Sequence, residues 1–177
     1  MNTKFGYTSL IIILGAPCFL AAQQPARNDV SLAARVQRLE DIEEIHKVLI
    51  DYGRYLDTRD FAAYSRLFAK DGEWVGGFGT VQGPAAIQAF MEKNITGPNR
   101  GNMYHLLTNF EVEVHGDTAT AWSRWTYVIP GADNKPVIAQ AGRYDDTFVR
   151  ENGHWKFKRR VASNDIPAEG PAGASKR

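Results

Sequence analysis

MYHLLTNFEVEVHGDTATAWSRWTYVI, residues 103–129, carries two alternating runs on either side of His115-Gly116-Asp117. In the first, Phe110, Val112 and Val114 alternate with Glu111 and Glu113, a period of two that marks a β-strand with one face buried. Thr118 to Ile129 is its partner across the turn. The pattern then repeats in Val137 to Arg150 and His154 to Ser163, separated by Pro130 to Pro136 and by Glu151-Asn152-Gly153. Two of the three links are short enough for tight hairpins, so the C-terminal half reads as an antiparallel meander.

Upstream of Met103 the period is 3.6. From Ser31 to Asp57, Val36, Leu39, Ile42, Ile45, Val48, Leu49, Tyr52 and Leu56 recur in steps of three and four and mark one face of a long helix. Asp60 is placed to N-cap a short second helix through Phe61, Tyr64, Leu67 and Phe68, closed by Asp71-Gly72. Glu73 to Phe78 reads as a strand with a glycine-rich end. Gly83-Pro84 opens a third helix with proline at its first position, where the missing N–H costs nothing, and with Ile87, Phe90 and Met91 inward. Three helical segments followed by a meander give an α+β order in which the helices cover one face of the sheet.

Residues 1–22 set the expected compartment. Lys4 precedes an apolar run from Leu10 to Leu20, with Ala21-Ala22 before polar Gln23-Gln24, which is the pattern of a secretory signal peptide. That run is too short for a bilayer of about 30 Å. The expectation is export to the periplasm or the extracellular space without a stable membrane anchor. Residues 23–30 then form a linker, 31–166 one domain and 167–177 a disordered tail rich in Pro, Gly and Ala.

Cys18 is the only cysteine, so cleavage leaves no thiol for disulfides, metal ligation or covalent catalysis. Of 21 Lys and Arg and 20 Asp and Glu, cleavage removes Lys4 alone. A balanced charge argues against a nucleic-acid partner and for a small neutral or weakly polar one. Glu43-Glu44-Ile45-His46 lacks the spacing of a metal helix, and no metal or cofactor is expected.

Five stretches point further: Tyr55-Leu56-Asp57-Thr58-Arg59-Asp60-Phe61, Leu67-Phe68-Ala69-Lys70-Asp71-Gly72-Glu73-Trp74, Tyr104-His105-Leu106-Leu107-Thr108-Asn109, Gly142-Arg143-Tyr144-Asp145-Asp146 and Gly153-His154-Trp155-Lys156-Phe157. In this order they resemble the SnoaL-like branch of the nuclear transport factor 2-like superfamily, over roughly Val36 to Asp165. The resemblance implies three helices packed over a strongly curved, mostly antiparallel sheet, a cone-shaped barrel around one apolar pocket. It also implies assembly as a homodimer or homotrimer through the outer face of the sheet.

Within that superfamily the chain is most similar to scytalone dehydratase, bile-acid 7α-dehydratase and hexachlorocyclohexane dehydrochlorinase, lyases that share a buried Asp-His pair. The resemblance places that pair on Asp57 and His105. An active-site tyrosine of the bile-acid enzyme matches Tyr52, and an arginine of the dehydrochlorinase matches Arg160. The second histidine of scytalone dehydratase would fall near Ala139 to Ala141, and the later acid of the bile-acid enzyme near Val128 or Ile129, and neither has a counterpart. The substrate therefore does not carry over from any of the three.

Elimination from a ring carbon needs a base for the proton and donors for the departing group. A neutral imidazole suits the first role near neutral pH, and a carboxylate bonded to its other nitrogen would fix the tautomer. Tyr52 and Arg160 could donate to a leaving group or oxyanion. Trp74, Trp125, Tyr127 and Tyr144 would wall a small apolar or ring-containing ligand.

Ordinary structural roles stand beside these. Asp57 is equally a helix-end carboxylate, and Tyr52 lies on the apolar stripe of its helix. Strict alternation puts His105 on the face of Glu111 and Glu113, and only a β-bulge between Leu106 and Asn109 would reverse it. Arg160 falls off the face marked by Trp155, Phe157 and Val161, in a basic run that reads as solvated. The functions left are a cofactor-independent lyase, an isomerase or cyclase using the same pair, and a ligand-binding domain without chemistry.

Overall fold

The computed structural model describes residues 30–96 and 102–167. The signal peptide, most of the linker and most of the tail expected from the sequence lie outside these residues. Three helices, α1 (Leu32–Thr58), α2 (Phe61–Ser65) and α3 (Pro84–Asn94), combine with six strands. The strands are β1 (Phe68–Gly76), β2 (Gly79–Gln82), β3 (Tyr104–His115), β4 (Thr118–Pro130), β5 (Pro136–Glu151) and β6 (His154–Ile166). They form one sheet in the order β2-β1-β6-β5-β4-β3, antiparallel except for the parallel β1–β6 pair. β2 and β3 are its free edges, so the strongly curved sheet is open and the expected barrel is not closed.

The four strands of the meander match the sequence reading, and three other expectations change. α2 ends at Ser65, and Leu67 to Gly72, read as helix end and turn, already run into β1. β2 was not anticipated, because a four-residue edge strand has too few side chains to show a period. α1 forms as expected, with Ser31 Oγ accepting from Ala34 N at 3.2 Å, but its first turns extend past the sheet. Val36 and Leu39 are therefore exposed, and burial begins at Asp41.

From there Ile45, Val48, Leu49, Tyr52 and Leu56 pack on the concave face, against Phe68, Trp125, Tyr144, Phe148 and Phe157. Asp60 caps α2 by accepting from Ala63 N at 2.9 Å, the role the sequence predicted for it. Ile87 and Met91 of α3 are buried, and the Phe90 ring lies 5.5 Å from Trp74.

Asp41 ties the start of the buried helix to the sheet. Its carboxylate accepts from Arg150 at 2.7 Å, from the Trp155 indole at 3.3 Å and from Gln37 at 3.1 Å. Burial alone would raise this carboxyl, but those bonds win and hold it below its ordinary value. A carboxylate depressed in the folded state stabilises it above the unfolded pKa, and loses that contribution as pH falls through the folded value. Asp41→Asn is thus expected to cost about 1.5–3 kcal/mol at pH 7 in urea unfolding, with the gap to wild type closing below about pH 4. A gap unchanged with pH would refute this.

Candidate active site

α1 ends beside the start of β3, and Gly53 sets the spacing. A Cβ there would come within 2.9 Å of Leu107 Cδ1 and 3.5 Å of the His105 carbonyl oxygen. One helical turn later Asp57 meets His105 through both backbone and side chain. Its carboxylate accepts the His105 backbone N–H at 3.0 and 3.1 Å, and lies 2.6 Å from ring Nδ1. A proton on Nδ1 shared with the carboxylate leaves Nε2 with its lone pair.

His105 reaches this place because β3 carries one extra residue. Thr108 pairs with Arg124 and Glu111 with Trp122, so three steps on β3 oppose two on β4. Asn109 absorbs the excess at φ 55°, in the left-handed region that asparagine tolerates better than most residues. Phe110, Val112 and Val114 pack on the core below the bulge. Above it, Leu107 packs there too and His105 lines the cavity.

That cavity, of about 860 Å³, lies between the helices and the concave face of the sheet, within the usual range for a small-molecule site. His105 lines it, its ring stacked 4.6 Å from Tyr127. Asp57 stands behind His105, outside the lining. Tyr52, Trp74, Trp125 and Tyr144 all line the cavity. The Tyr52 hydroxyl accepts from the Trp74 indole N–H at 3.1 Å, which leaves its own proton to give. Burial pushes the Tyr144 phenol well above its ordinary range, so it stays protonated.

Arg160 is the exception among the residues expected to touch a ligand. It is fully buried and is absent from the cavity lining. Its guanidinium bonds Asp146 through Nε to Oδ1 at 2.8 Å and Nη2 to Oδ2 at 2.6 Å. It lies 3.9 Å from the ring centroids of both Tyr52 and Tyr144. The expected hydrogen bond to a ligand is replaced by a supporting position under two cavity walls. The solvated alternative fails as well: β6 has one extra residue at Lys158, between the Phe148–Phe157 and Thr147–Arg159 pairs, and this turns Arg160 inward.

Tyr64 and Arg59 are among the cavity residues that escaped the sequence reading. Tyr64 is fully buried on α2, and burial drives its phenol well above the ordinary range. Its place three residues after Phe61 made it look like packing. Arg59 lines the cavity from the left-handed residue that ends α1, a position no periodicity marks. Among the described residues no cluster of three His, Cys, Asp or Glu side chains could hold a metal ion.

The sequence model of the SnoaL-like domain matches residues 37–161, most of the chain. The chain belongs to the SnoaL-like family. An uncharacterized protein of Mycobacterium tuberculosis, Rv2910c, is 32% identical over 130 residues, 71% of this chain and 86% of that protein. Among solved structures, an NTF2-like protein with a cystatin-like fold from Novosphingobium aromaticivorans is 32% identical with a TM-score of 0.68, covering 81% of this chain and 92% of the other. A hexachlorocyclohexane dehydrochlorinase, LinA type 2, shares the fold at 20% identity and a TM-score of 0.63, over 78% of this chain and 99% of its own. The SnoaL-like fold expected from the five sequence stretches is therefore the fold this chain has.

Proposed function

We propose that the protein is an exported, cofactor-independent lyase that eliminates water or halide from a small cyclic, largely apolar substrate. The observation that carries this is the 2.6 Å contact of Asp57 with His105 Nδ1, at an imidazole that lines a cavity walled by aromatic rings. In the proposed step His105 Nε2 takes a proton from the carbon next to the one bearing the leaving group. Asp57 holds the ring and stabilises its positive charge. Tyr52 and Tyr144 donate toward the departing oxygen or halide, where charge develops. The dehydrochlorinase that shares the fold supports elimination as the reaction class.

The test is incubation of the purified protein with a panel of cyclic alcohols and halides, scored for alkene formation. Alkene from at least one, lost in His105→Gln, is expected. Binding without alkene, unaffected by Asp57→Asn or His105→Gln, would leave a ligand-binding domain in its place. Movement of a double bond without loss of a group would make it an isomerase acting through the same pair.

The proposal includes assembly as a homodimer or homotrimer through the outer face of the sheet. Tyr104, Val128 and Ile138 stand in register across β3, β4 and β5. Of these Tyr104 is 47% and Ile138 65% exposed while Val128 between them is buried; with Leu106 also exposed nearby, the exposed side chains form an apolar group suited to a self-complementary contact. Sedimentation is expected to show a dimer or trimer at micromolar concentration, and monomer alone would rule this out.

A further inference from the structure

The cavity that holds His105 also holds a permanent positive charge without a matching acid. Arg59 lines it, and among the described residues no Asp or Glu does. The two acids nearest Arg59 in sequence are engaged elsewhere, Asp57 by His105 and Asp60 by the start of α2. Arginines elsewhere that are partly or fully buried have carboxylates: Arg143 bonds Asp165, Arg150 bonds Asp41 and Asp117, and Arg160 bonds Asp146.

Arg59 has none among the described residues. Its Nη1 reaches the Leu56 carbonyl at 3.5 Å, the outer limit of a hydrogen bond, and its Nε is buried with no hydrogen-bond partner among the described residues. The backbone beneath it is held at φ 61° by its own N–H on the Leu56 carbonyl. That left-handed conformation closes α1 as its C-cap.

We propose that Arg59 is the anion-recognising residue of this cavity, and that the ligand is a ring-bearing organic carboxylate. A guanidinium presents parallel N–H groups that match the two oxygens of a carboxylate. Trp74, Trp125 and Tyr127 supply the faces for the ring. Arg59 is two residues beyond Asp57, so the anchored end of the ligand and the base that Asp57 orients belong to the same end of the cavity. The inference rests on the cavity being the ligand site and names the substrate class for it, independently of the elimination step.

Calorimetric titration with benzoate, cyclohexanecarboxylate and 1-naphthoate, each beside its neutral amide, reads this directly. Wild type is expected to bind at least one carboxylate about tenfold or more tighter than its amide. Arg59→Gln should remove that preference while amide affinity stays within about twofold, since the ring faces are untouched. Arg59→Lys keeps the charge without the fork and should retain part of the preference.

Failure of all three carboxylates to bind, or equal affinity for acid and amide in wild type, would overturn the inference. So would a preference that survives in Arg59→Gln, or one lost in His105→Gln alone, which would assign the anion to the imidazole. If Arg59→Gln does not fold, Arg59→Lys decides, and carboxylate affinity equal to wild type counts against the proposal. An Arg59-dependent preference in a protein that forms no alkene would keep this inference and remove the lyase reading. Alkene formation with no acid preference would do the reverse.

Discussion

Asp146→Asn is expected to lower the folding free energy by about 3–5 kcal/mol in urea unfolding, because it strands a charge that the core cannot hydrate. Arg160 and Asp146 have no exposed side-chain surface, and they meet through two short, parallel hydrogen bonds. Burial pushes the Asp146 carboxyl up, and the guanidinium works against that shift. In the variant the guanidinium keeps its aromatic neighbours Tyr52, Tyr144 and Phe157, and their faces compensate only part of a full charge.

Removing both partners is a different matter. Arg160→Met combined with Asp146→Leu leaves neither charge behind, and is expected to recover stability to within about 2 kcal/mol of wild type. Near wild-type stability in Asp146→Asn alone would mean that the pair is not sealed from water. Since Tyr52 and Tyr144 rest on the guanidinium, the single variant should also loosen the cavity wall, which is readable as weaker binding of any cavity ligand.

Asp57→Asn and His105→Gln are each expected to reduce turnover of an eliminated substrate by about 10²–10⁴-fold, the usual contribution of a positioned base. The asparagine can still accept the His105 backbone N–H. If its amide faces Nδ1 it presents a donor there, which favours the proton on Nε2 and removes the lone pair from the cavity side. Stability should change by no more than about 1 kcal/mol in either variant, because both side chains retain some contact with solvent. Turnover preserved in either variant would end the base assignment. Turnover lost together with the fold would leave Gly53 and the helix–strand approach, rather than proton transfer, as the function of the pair.

Much of this molecule is legible before any coordinates exist. The meander shows in the alternation of Phe110, Val112 and Val114 and in turns such as Asn152-Gly153, both of which are local. The buried side of α1 shows in its period from Ile42 onward for the same reason. What stays hidden depends on distant partners. The inward face of Arg160 follows from an extra residue at Lys158 and from Asp146 on the neighbouring strand, so a basic run conceals a buried ion pair. β2 is too short to announce itself. Val36 and Leu39 obey the helical period although no part of the described chain covers them, because amphipathic spacing reports what a helix is able to bury. Resemblance placed Asp57 and His105 as a pair, whereas strict alternation put His105 on the outside. The bulge at Asn109 resolves that conflict.

The same bulge gives β3 something like a reading frame. Below Asn109 the strand is committed to the core through three side chains, and above it the choice of inward residue is set by a count of one. Deleting a single residue between Leu106 and Asn109 would restore unbroken alternation and carry His105 round to the side of Glu111 and Glu113, while Phe110, Val112 and Val114 kept their places. Fold and chemistry are thus written in the same strand but in separate characters. The architecture would survive a change in length that erases the proposed base, so a relative of equal shape and a strand one residue shorter would be a vessel with no reagent in it.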